Sequence, residues 1–169
     1  MRPADRETGQ TRDAAGDYAR KTAYEATRLS NRIKQEGHLA PLGDPTSGLV
    51  LVLEEPFGPR TIEALELSLQ ALRLEQAYVT YESTGLLAQQ IQTTEPGVLV
   101  AIGAGAARDI DAVDYPLVRQ TFSTAEPGVW FPWTKGTKGL LTPALAPALE
   151  DDAAKRRFWL AFLTLRDLT

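Results

Sequence analysis

The sequence predicts an α/β fold in three layers, with a mostly parallel sheet between helices on both of its faces. The main observation is a set of short apolar runs without apolar–polar alternation, of which GLVLVL at residues 48–53 and VLVAI at Val98–Ile102 are the clearest. Such runs are typical of strands that are buried on both faces. Between them, apolar residues recur at helical spacing, and strands that alternate with helices predict a parallel sheet.

The predicted elements follow one another from residue 48 to the C-terminus. Turn residues such as Gly58-Pro59 and Pro96-Gly97 separate them. We predict strands at residues 48–53, 77–81, 98–102, 117–122 and 129–133. We predict helices that begin at residue 59 or 60, span 85–93, follow the turn at 103–105, and cover about 151–168.

Composition excludes several classes of site. The 169 residues include no cysteine, which removes disulfides, thiol catalysis and cysteine-held metal centres, and one histidine, His38, in a polar connector. We therefore expect no metal and no cofactor. The net charge of −4 gives no global basic surface, so a contact with nucleic acid needs a local patch. Without an apolar stretch of membrane-spanning length or a signal peptide pattern, we expect a cytoplasmic protein that does not contact a membrane.

The chain divides into an N-terminal polar tail and helical extension, residues 1–46, and an α/β domain, residues 47–169. A helix is predicted over residues 13–36, followed by a linker at 41–48. Because the stripe of this helix is rich in alanine, it offers little burial. Two alternatives remain: an extra helix that lies against the domain, or a projecting segment that docks on a partner. The stripe consists of Ala15, Ala19, Thr22, Ala26, Leu29 and Ile33.

A functional site is expected beyond the carboxyl ends of the strands, where parallel α/β sheets bind ligands. Glu54-Glu55-Pro56, Tyr81-Glu82-Ser83 and Gly103-Ala104-Gly105 lie there. The glycine turn before a helix suits an anion such as phosphate. A dinucleotide fingerprint is disfavoured because Arg108 replaces its third glycine, so a simple strand-to-helix turn is preferred. Glu54 and Glu55 are adjacent and point to opposite sides of an extended chain, which makes them a poor acid–base pair.

Four stretches resemble the uracil-DNA glycosylase superfamily, and the resemblance extends from residue 48 to the C-terminus. LVLVLEEPFGP at 49–59 is similar to the first strand and water-activating loop of that family, and AYVTYES at 77–83 to its second strand. EPGVLVAIGAGAARDI at 95–110 is similar to the third strand and its helix. Residues 142–165, beginning TPALAP, are similar to the second motif and last helix. The resemblance implies a glycosylase-like fold.

The resemblance also implies a base-binding pocket. This chain differs from the family at the positions whose residues perform the chemistry in that pocket. Thr142 stands where the family has the histidine that stabilises charge on the uracil ring, and Tyr81 where many members have asparagine. The loss of one such donor costs ~10²–10³ in rate. We therefore expect no catalytic residue; in an active enzyme, Glu55 would orient water. The implied pocket residues are Glu55, Pro56, Gly58, Tyr81, Gly103 and Thr142.

The chain also resembles the psi subunit of the bacterial DNA polymerase III clamp loader, which has the same fold without glycosylase chemistry. Thr142-Pro143-Ala144-Leu145 and the helix around residues 153–159 carry this similarity. It implies a protein partner that docks on the N-terminal extension, here the helix over 13–36.

The segment 128–139, GVWFPWTKGTKG, is a candidate nucleic-acid interface. We expect this segment to form a glycine-rich loop near the carboxyl ends of the strands, in which Trp130 and Trp133 stack on unpaired bases, while Lys135 and Lys138 contact phosphates. Alternatively, the tryptophans pack in the core. Because they are three residues apart, a regular strand would point them to opposite faces.

The leading hypothesis is a non-catalytic glycosylase-fold protein of DNA replication or repair that binds a protein partner, single-stranded DNA, or both. One alternative is an active DNA glycosylase for uracil or damaged bases with an atypical site. A further alternative is a nucleotide-binding module that uses the turn at Gly103 and Gly105.

Overall fold

A computed structural model describes the backbone of residues 3–168 and the side chains of residues 14–168 except 15 and 84. The side chain of Ala15 in the predicted stripe and the first two residues of the predicted tail thus lie outside what the structure describes. The helices are α1 (Pro3–Gln35), α2 (Pro59–Ala71), α3 (Leu87–Thr94), α4 (Ala104–Ala112), α5 (Leu145–Ala148) and α6 (Asp152–Phe162). The strands are β1 (Leu49–Leu53), β2 (Tyr78–Thr80), β3 (Val98–Ile102), β4 (Phe131–Pro132) and β5 (Lys138–Thr142).

The five strands form one sheet in the order β2-β1-β3-β5-β4. The first four are parallel, and β4 pairs antiparallel with β5 at the edge. The mostly parallel sheet predicted from the sequence is therefore confirmed. Since β1 has β2 on one side and β3 on the other, the order of the strands reverses between β1 and β3. Ligands of open α/β sheets bind in the crevice outside the carboxyl ends of such a strand pair.

Helices cover both faces of the sheet and create two separate cores. On one face, Leu51 and Val100 pack with side chains from α2, α5 and α6. On the other face, Val52 and Ala101 pack with side chains from α3 and α4. All five residues of both β1 and β3 are buried, which explains the absence of alternation in their sequences.

Two of the predicted strands are wrong or misplaced. Residues 117–122 form no strand. At the end of this segment, the Asp111 carboxylate accepts hydrogen bonds from the backbone N–H groups of Phe122 (2.8 Å) and Ser123 (3.0 Å), which lie in a short 3₁₀-helix. Of residues 129–133, only Phe131 and Pro132 pair in the sheet. The last strand is instead β5, whose first two residues lie in the segment predicted as a glycine-rich loop and whose other three lie beyond it.

The α1 helix lies against the domain, the first of the two alternatives for the N-terminal segment. It contacts α3, and its Ala26 and Ile33 side chains are buried. The Tyr18 hydroxyl donates a hydrogen bond to the Glu95 carboxylate at the end of α3. The stripe of small residues thus allows close packing of two helices, and Ile33 is fully buried despite the low apolar content of the helix.

The predicted linker after α1 is attached to the sheet. Leu42 and Val79 exchange two backbone hydrogen bonds, of 3.0 Å and 2.8 Å, at the outer side of β2. Gly43 follows with a φ of +85°, and a Cβ atom there would overlap the carbonyl oxygen of Ala77. A glycine is therefore required where this segment passes the edge of the sheet.

Candidate functional site at the switch point of the sheet

The candidate site is the crevice at the carboxyl ends of β1 and β3, which we call the switch-point crevice. Glu54 follows β1, and Gly103 follows β3. The backbone continues the sheet for one more residue here: Glu54 N–H donates to the Ile102 carbonyl (3.1 Å), and Gly103 N–H donates to the Thr142 carbonyl (3.0 Å). The crevice therefore has rigid walls, as expected for a ligand site of this fold class.

The side chain of Glu54 fills the switch-point crevice. Its Oε1 accepts a 2.6 Å hydrogen bond from the backbone N–H of Gly105, in the first turn of α4. A Cβ atom at Gly103 would lie 2.7 Å from the Glu54 carboxyl group, and one at Gly105 would lie 2.6 Å from Oε1. The two glycines thus make room for a carboxylate. The anion that the glycine turn was expected to bind is supplied by the chain itself.

Glu55 points away from Glu54, as their adjacency in the sequence predicts. Its Oε1 accepts a 2.8 Å hydrogen bond from the backbone N–H of Ser83, beyond the end of β2. The Glu55–Pro56 peptide bond is cis, and Pro56 and Gly58 are exposed in the loop that leads to α2. Through these hydrogen bonds, Glu54 connects the loop after β1 to α4, and Glu55 connects it to the segment after β2.

Tyr81 and Thr142, expected near the base edge and the leaving group, have their hydroxyl protons engaged within the protein. The Tyr81 hydroxyl donates to the carbonyl of Leu39, and its buried ring meets Phe57 edge to face, with centroids 5.2 Å apart. Burial raises the pKa of Tyr81. Thr142 is 1% exposed and donates to the Pro143 carbonyl at 3.0 Å.

Acidic side chains dominate the electrostatics of the crevice. Partial burial raises the pKa of Asp109, and the charges of Glu55 and Glu54 raise it further, against a lowering effect of Arg108. Partial burial likewise raises the pKa of Glu82, with added effects of Asp109 and Glu55. A concentration of carboxylates at one edge of the sheet disfavours the approach of a phosphate.

The two lysines of the candidate nucleic-acid segment lie at the opposite edge of the sheet from the crevice. The turn before β5 is fixed at the amino ends of the strands, where Thr137 donates to the Pro96 carbonyl (2.7 Å) and Lys138 N–H donates to the Gly97 carbonyl (3.0 Å). Lys135 and Lys138 are exposed there. The prediction that they lie near the carboxyl ends of the strands is wrong, because it rested on a loop where the chain forms a strand.

The two tryptophans of that segment pack on opposite sides of the sheet, as their spacing predicts. Trp133 is 1% exposed, with its ring 5.0 Å from Tyr115 and 5.9 Å from Phe122 between centroids. Trp130 is half-buried against the other core. Because helices cover both faces, each ring meets protein. Base stacking on Trp133 is inconsistent with its burial, and this is a correction to the nucleic-acid prediction.

Sequence reasoning missed the role of Glu54 and the participation of Glu82 and Asp109. The available signal was the pair Gly103 and Gly105, which permits close approach of another group, next in space to a glutamate that ends the neighbouring strand. Whether the side chain of Glu54 or another group approaches these glycines depends on the rotamer of Glu54. A sequence pattern does not specify that rotamer.

Among the described residues, no group of three or more histidine, cysteine or acidic side chains could hold a metal ion. Within the same part of the chain, no helix combines the length and apolar character that crossing a bilayer requires. No protein-family model matches the chain, and neither does any curated protein.

Proposed function

We propose that this chain is a non-catalytic protein of DNA replication or repair that binds a protein partner through the exposed side of α1. The observation that carries the non-catalytic part is the Glu54 carboxylate, which occupies the switch-point crevice and accepts the N–H of Gly105. The sequence resemblance to glycosylases and to the psi subunit supports the cellular process.

The chemistry of base excision argues for this proposal over an active glycosylase. Cleavage of the glycosidic bond places negative charge on the departing base, and preorganised hydrogen-bond donors stabilise that charge. Here the side chains around the crevice include Glu54, Glu55, Glu82 and Asp109, which are acceptors when ionised. The Thr142 proton is directed to Pro143. A negative leaving group would meet repulsion at this edge.

The acidic side chains of the crevice also argue against the nucleotide-binding alternative. A nucleotide phosphate would need the free N–H groups at the start of α4, and Glu54 already uses that of Gly105. Displacement of the carboxylate would bring a second anion beside Glu55 and Asp109. We therefore assign no nucleotide to this turn.

The exposed side of α1 supports binding to an acidic protein partner. Tyr24 is 64% exposed, and Lys21 and Lys34 are exposed on the same helix. Tyrosine is enriched among residues that dominate interface energetics. Residues 14–36 carry five basic and three acidic side chains, a net charge of +2 in a chain of net charge −4, and Lys21 and Lys34 form no ion pair among the described residues. Such a local basic surface favours encounter with an acidic surface.

An assay of uracil release tests the non-catalytic part. Purified protein is incubated with single- and double-stranded DNA that carries uracil or other damaged bases. We expect release no faster than without protein. Multiple turnovers that Glu55→Gln abolishes would overturn the proposal in favour of a glycosylase.

Site-specific photocrosslinking tests the partner part. A photoreactive phenylalanine analogue replaces Tyr24 in the full chain, with the same analogue at Leu160, an exposed residue of α6, as the matched control. In cells that express the protein, we expect position 24 to crosslink a replication or repair protein that position 160 does not capture. Equal products at both positions, or none at position 24, would contradict the assignment to α1.

A further inference from the structure

A groove between α2, α5 and α6 lies on the face of the sheet opposite to α1. Its volume is about 420 Å³. The floor includes Leu145, Ala148 and Phe158, which belong to the core on that face. This groove, which we call the α2–α6 groove, is thus a continuation of the core that the chain leaves open.

Large apolar side chains border the α2–α6 groove and contact solvent. Leu67 of α2 is 58% exposed, and Trp159 of α6 is half-buried, with its ring stacked at 6.1 Å on Phe162. This stacking fixes the indole ring of Trp159 along one side of the groove. A preformed apolar groove between two helices, with an aromatic wall, suits the apolar face of a third helix.

The groove floor offers little for a small polar ligand. Its one hydroxyl, Ser68 Oγ, donates to the carbonyl of Ala64 one turn earlier at 2.7 Å. Small-molecule sites use a few convergent polar groups to fix the orientation of a ligand. In the α2–α6 groove, the charged groups lie on the rim and are exposed, so they suit the flanks of a larger partner.

The rim of the groove is acidic. It includes Glu150, Asp151 and Asp152 against the single lysine Lys155. Glu150 pairs with Arg60 at 3.2 Å, and the Asp151 carboxylate accepts the N–H of Ala154 at the start of α6. Among the described residues, Asp152 forms no side-chain hydrogen bond or ion pair. A carboxylate without an ion-pair partner beside an apolar groove favours a cationic partner.

We propose that the α2–α6 groove binds an amphipathic helix of a protein partner, with large apolar side chains in the groove and basic side chains against Asp152 and its neighbours. This interface is separate from α1, and it stands whether or not α1 binds a partner. Leu67 and Trp159 supply the apolar contacts, and the acidic rim selects the charge of the helix.

A designed peptide tests the proposal on the full chain. The probe is a fluorescein-labelled helical peptide of about 18 residues, with leucines at i, i+3 and i+7 and lysines on both flanks. A second peptide has glutamates in place of the lysines. By fluorescence anisotropy we expect saturable binding of the lysine peptide and about tenfold weaker binding of the glutamate peptide. Equal binding of the two peptides would overturn the charge selection.

Matched variants locate the binding site. Leu67→Asp is expected to weaken binding of the lysine peptide about tenfold, whereas Leu160→Asp, at an exposed leucine of α6 outside the groove, leaves it unchanged. Because both leucines are exposed, thermal melts should show that both variants remain folded. Equal loss of binding in the two variants, or in neither, would overturn the location.

Nuclear magnetic resonance provides an internal control. The indole N–H signal of Trp159 should move on titration with the lysine peptide, while that of the buried Trp133 stays in place. A shift of Trp133 without one of Trp159 would contradict the proposal. Sedimentation of the full chain alone tests the competing occupant: a dimer that Leu67→Asp abolishes would assign the groove to a second copy and overturn the partner helix.

Discussion

The backbone N–H of Gly105 donates a 2.6 Å hydrogen bond to Glu54 Oε1 across the point where the order of the strands reverses. This bond links the end of β1 to the start of α4 and places a negative group at the N-terminus of that helix, where the helix dipole favours it. The position that commonly receives a ligand in this class of fold is thus part of the protein's own structure.

Removal of the Glu54 side chain should destabilise the fold. Glu54→Ala leaves the N–H of Gly105 without its partner, and we expect a loss of about 1 kcal/mol in the free energy of unfolding, as for other helix caps. Glu63→Ala is the matched control, because Glu63 is an exposed glutamate on α2. Urea denaturation measures both. Equal stability of the two variants would show that the Glu54 contact contributes nothing.

Neutralisation of Asp109 should change how stability depends on pH. Because the folded pKa of Asp109 is raised, the native state binds more protons than the unfolded state between the ordinary value, about 3.9, and the raised one. Stability therefore falls as pH rises through that window and stays reduced above it. Asp109→Asn should raise the Tm at pH 7, and the gain should vanish below about pH 3.9.

The control for this prediction is Asp114→Asn, since Asp114 is exposed and has a φ of +53° that asparagine tolerates equally. We expect no comparable gain in Tm from it. Asp109→Asn should also bring the pKa of Glu82 closer to its ordinary value, because one of the charges that raise it is gone. A Tm gain for Asp109→Asn that persists at acidic pH would contradict the electrostatic explanation.

The packing of α1 should contribute to stability. Ile33→Ala removes a fully buried side chain, and we expect a loss of about 2–5 kcal/mol. Tyr24→Ala, at an exposed position of the same helix, should change the free energy of unfolding by less than about 0.5 kcal/mol. Chemical denaturation of both variants provides the comparison. If Ile33→Ala were as stable as Tyr24→Ala, α1 would be a projecting segment.

Gly37 and Gly43 have nearly the same φ, so their alanine variants distinguish the cost of the left-handed conformation from the cost of steric overlap. Gly37 has a φ of +84° with nothing within 4 Å of a Cβ atom, whereas at Gly43, φ +85°, a Cβ would overlap the Ala77 carbonyl oxygen. Gly37→Ala should cost about 1 kcal/mol from the left-handed conformation alone. Gly43→Ala should cost distinctly more, because the chain must move away from β2. Equal Tm values for the two variants would contradict this.

Trp133, the fully buried tryptophan of the candidate nucleic-acid segment, should behave as a core residue. Trp133→Ala is expected to lower the free energy of unfolding by about 3–5 kcal/mol. The double variant Lys135→Ala, Lys138→Ala should leave the Tm unchanged, because both side chains are exposed. Titration of single-stranded DNA over a salt series tests the lysines: affinity that falls with salt in the parent chain and not in the double variant would restore a DNA site, at the amino edge of the sheet.

The central strands could be predicted because burial on both faces removes alternation, a property of the sequence itself. Thus β1 and β3 match the predicted runs, and the parallel order follows from the intervening helices. The antiparallel pair β4 and β5 could not be predicted in the same way. KGLLT contains a lysine and a glycine and is not predicted as a strand, so the sequence could not place Lys135 and Lys138 at the amino edge of the sheet.

The location of the candidate site could also be predicted, since strand ends meet at one edge of a parallel sheet. Which group occupies the site could not be predicted from the sequence. Whether Gly103 and Gly105 face a ligand or the side chain of Glu54 depends on a rotamer and on the spacing of two strands that are distant in sequence. The same limit applies to Tyr81, whose hydroxyl contacts Leu39 in the segment after α1.

The amide signal of Gly105 tests the central claim, that the switch-point crevice is filled by Glu54, most directly. The full chain is labelled with ¹⁵N and titrated with inorganic phosphate, and separately with deoxyuridine monophosphate. Because Glu54 Oε1 already accepts this N–H, we predict that the Gly105 signal does not move with either compound. A saturable shift of Gly105 with deoxyuridine monophosphate would contradict the account and identify the crevice as an open ligand site.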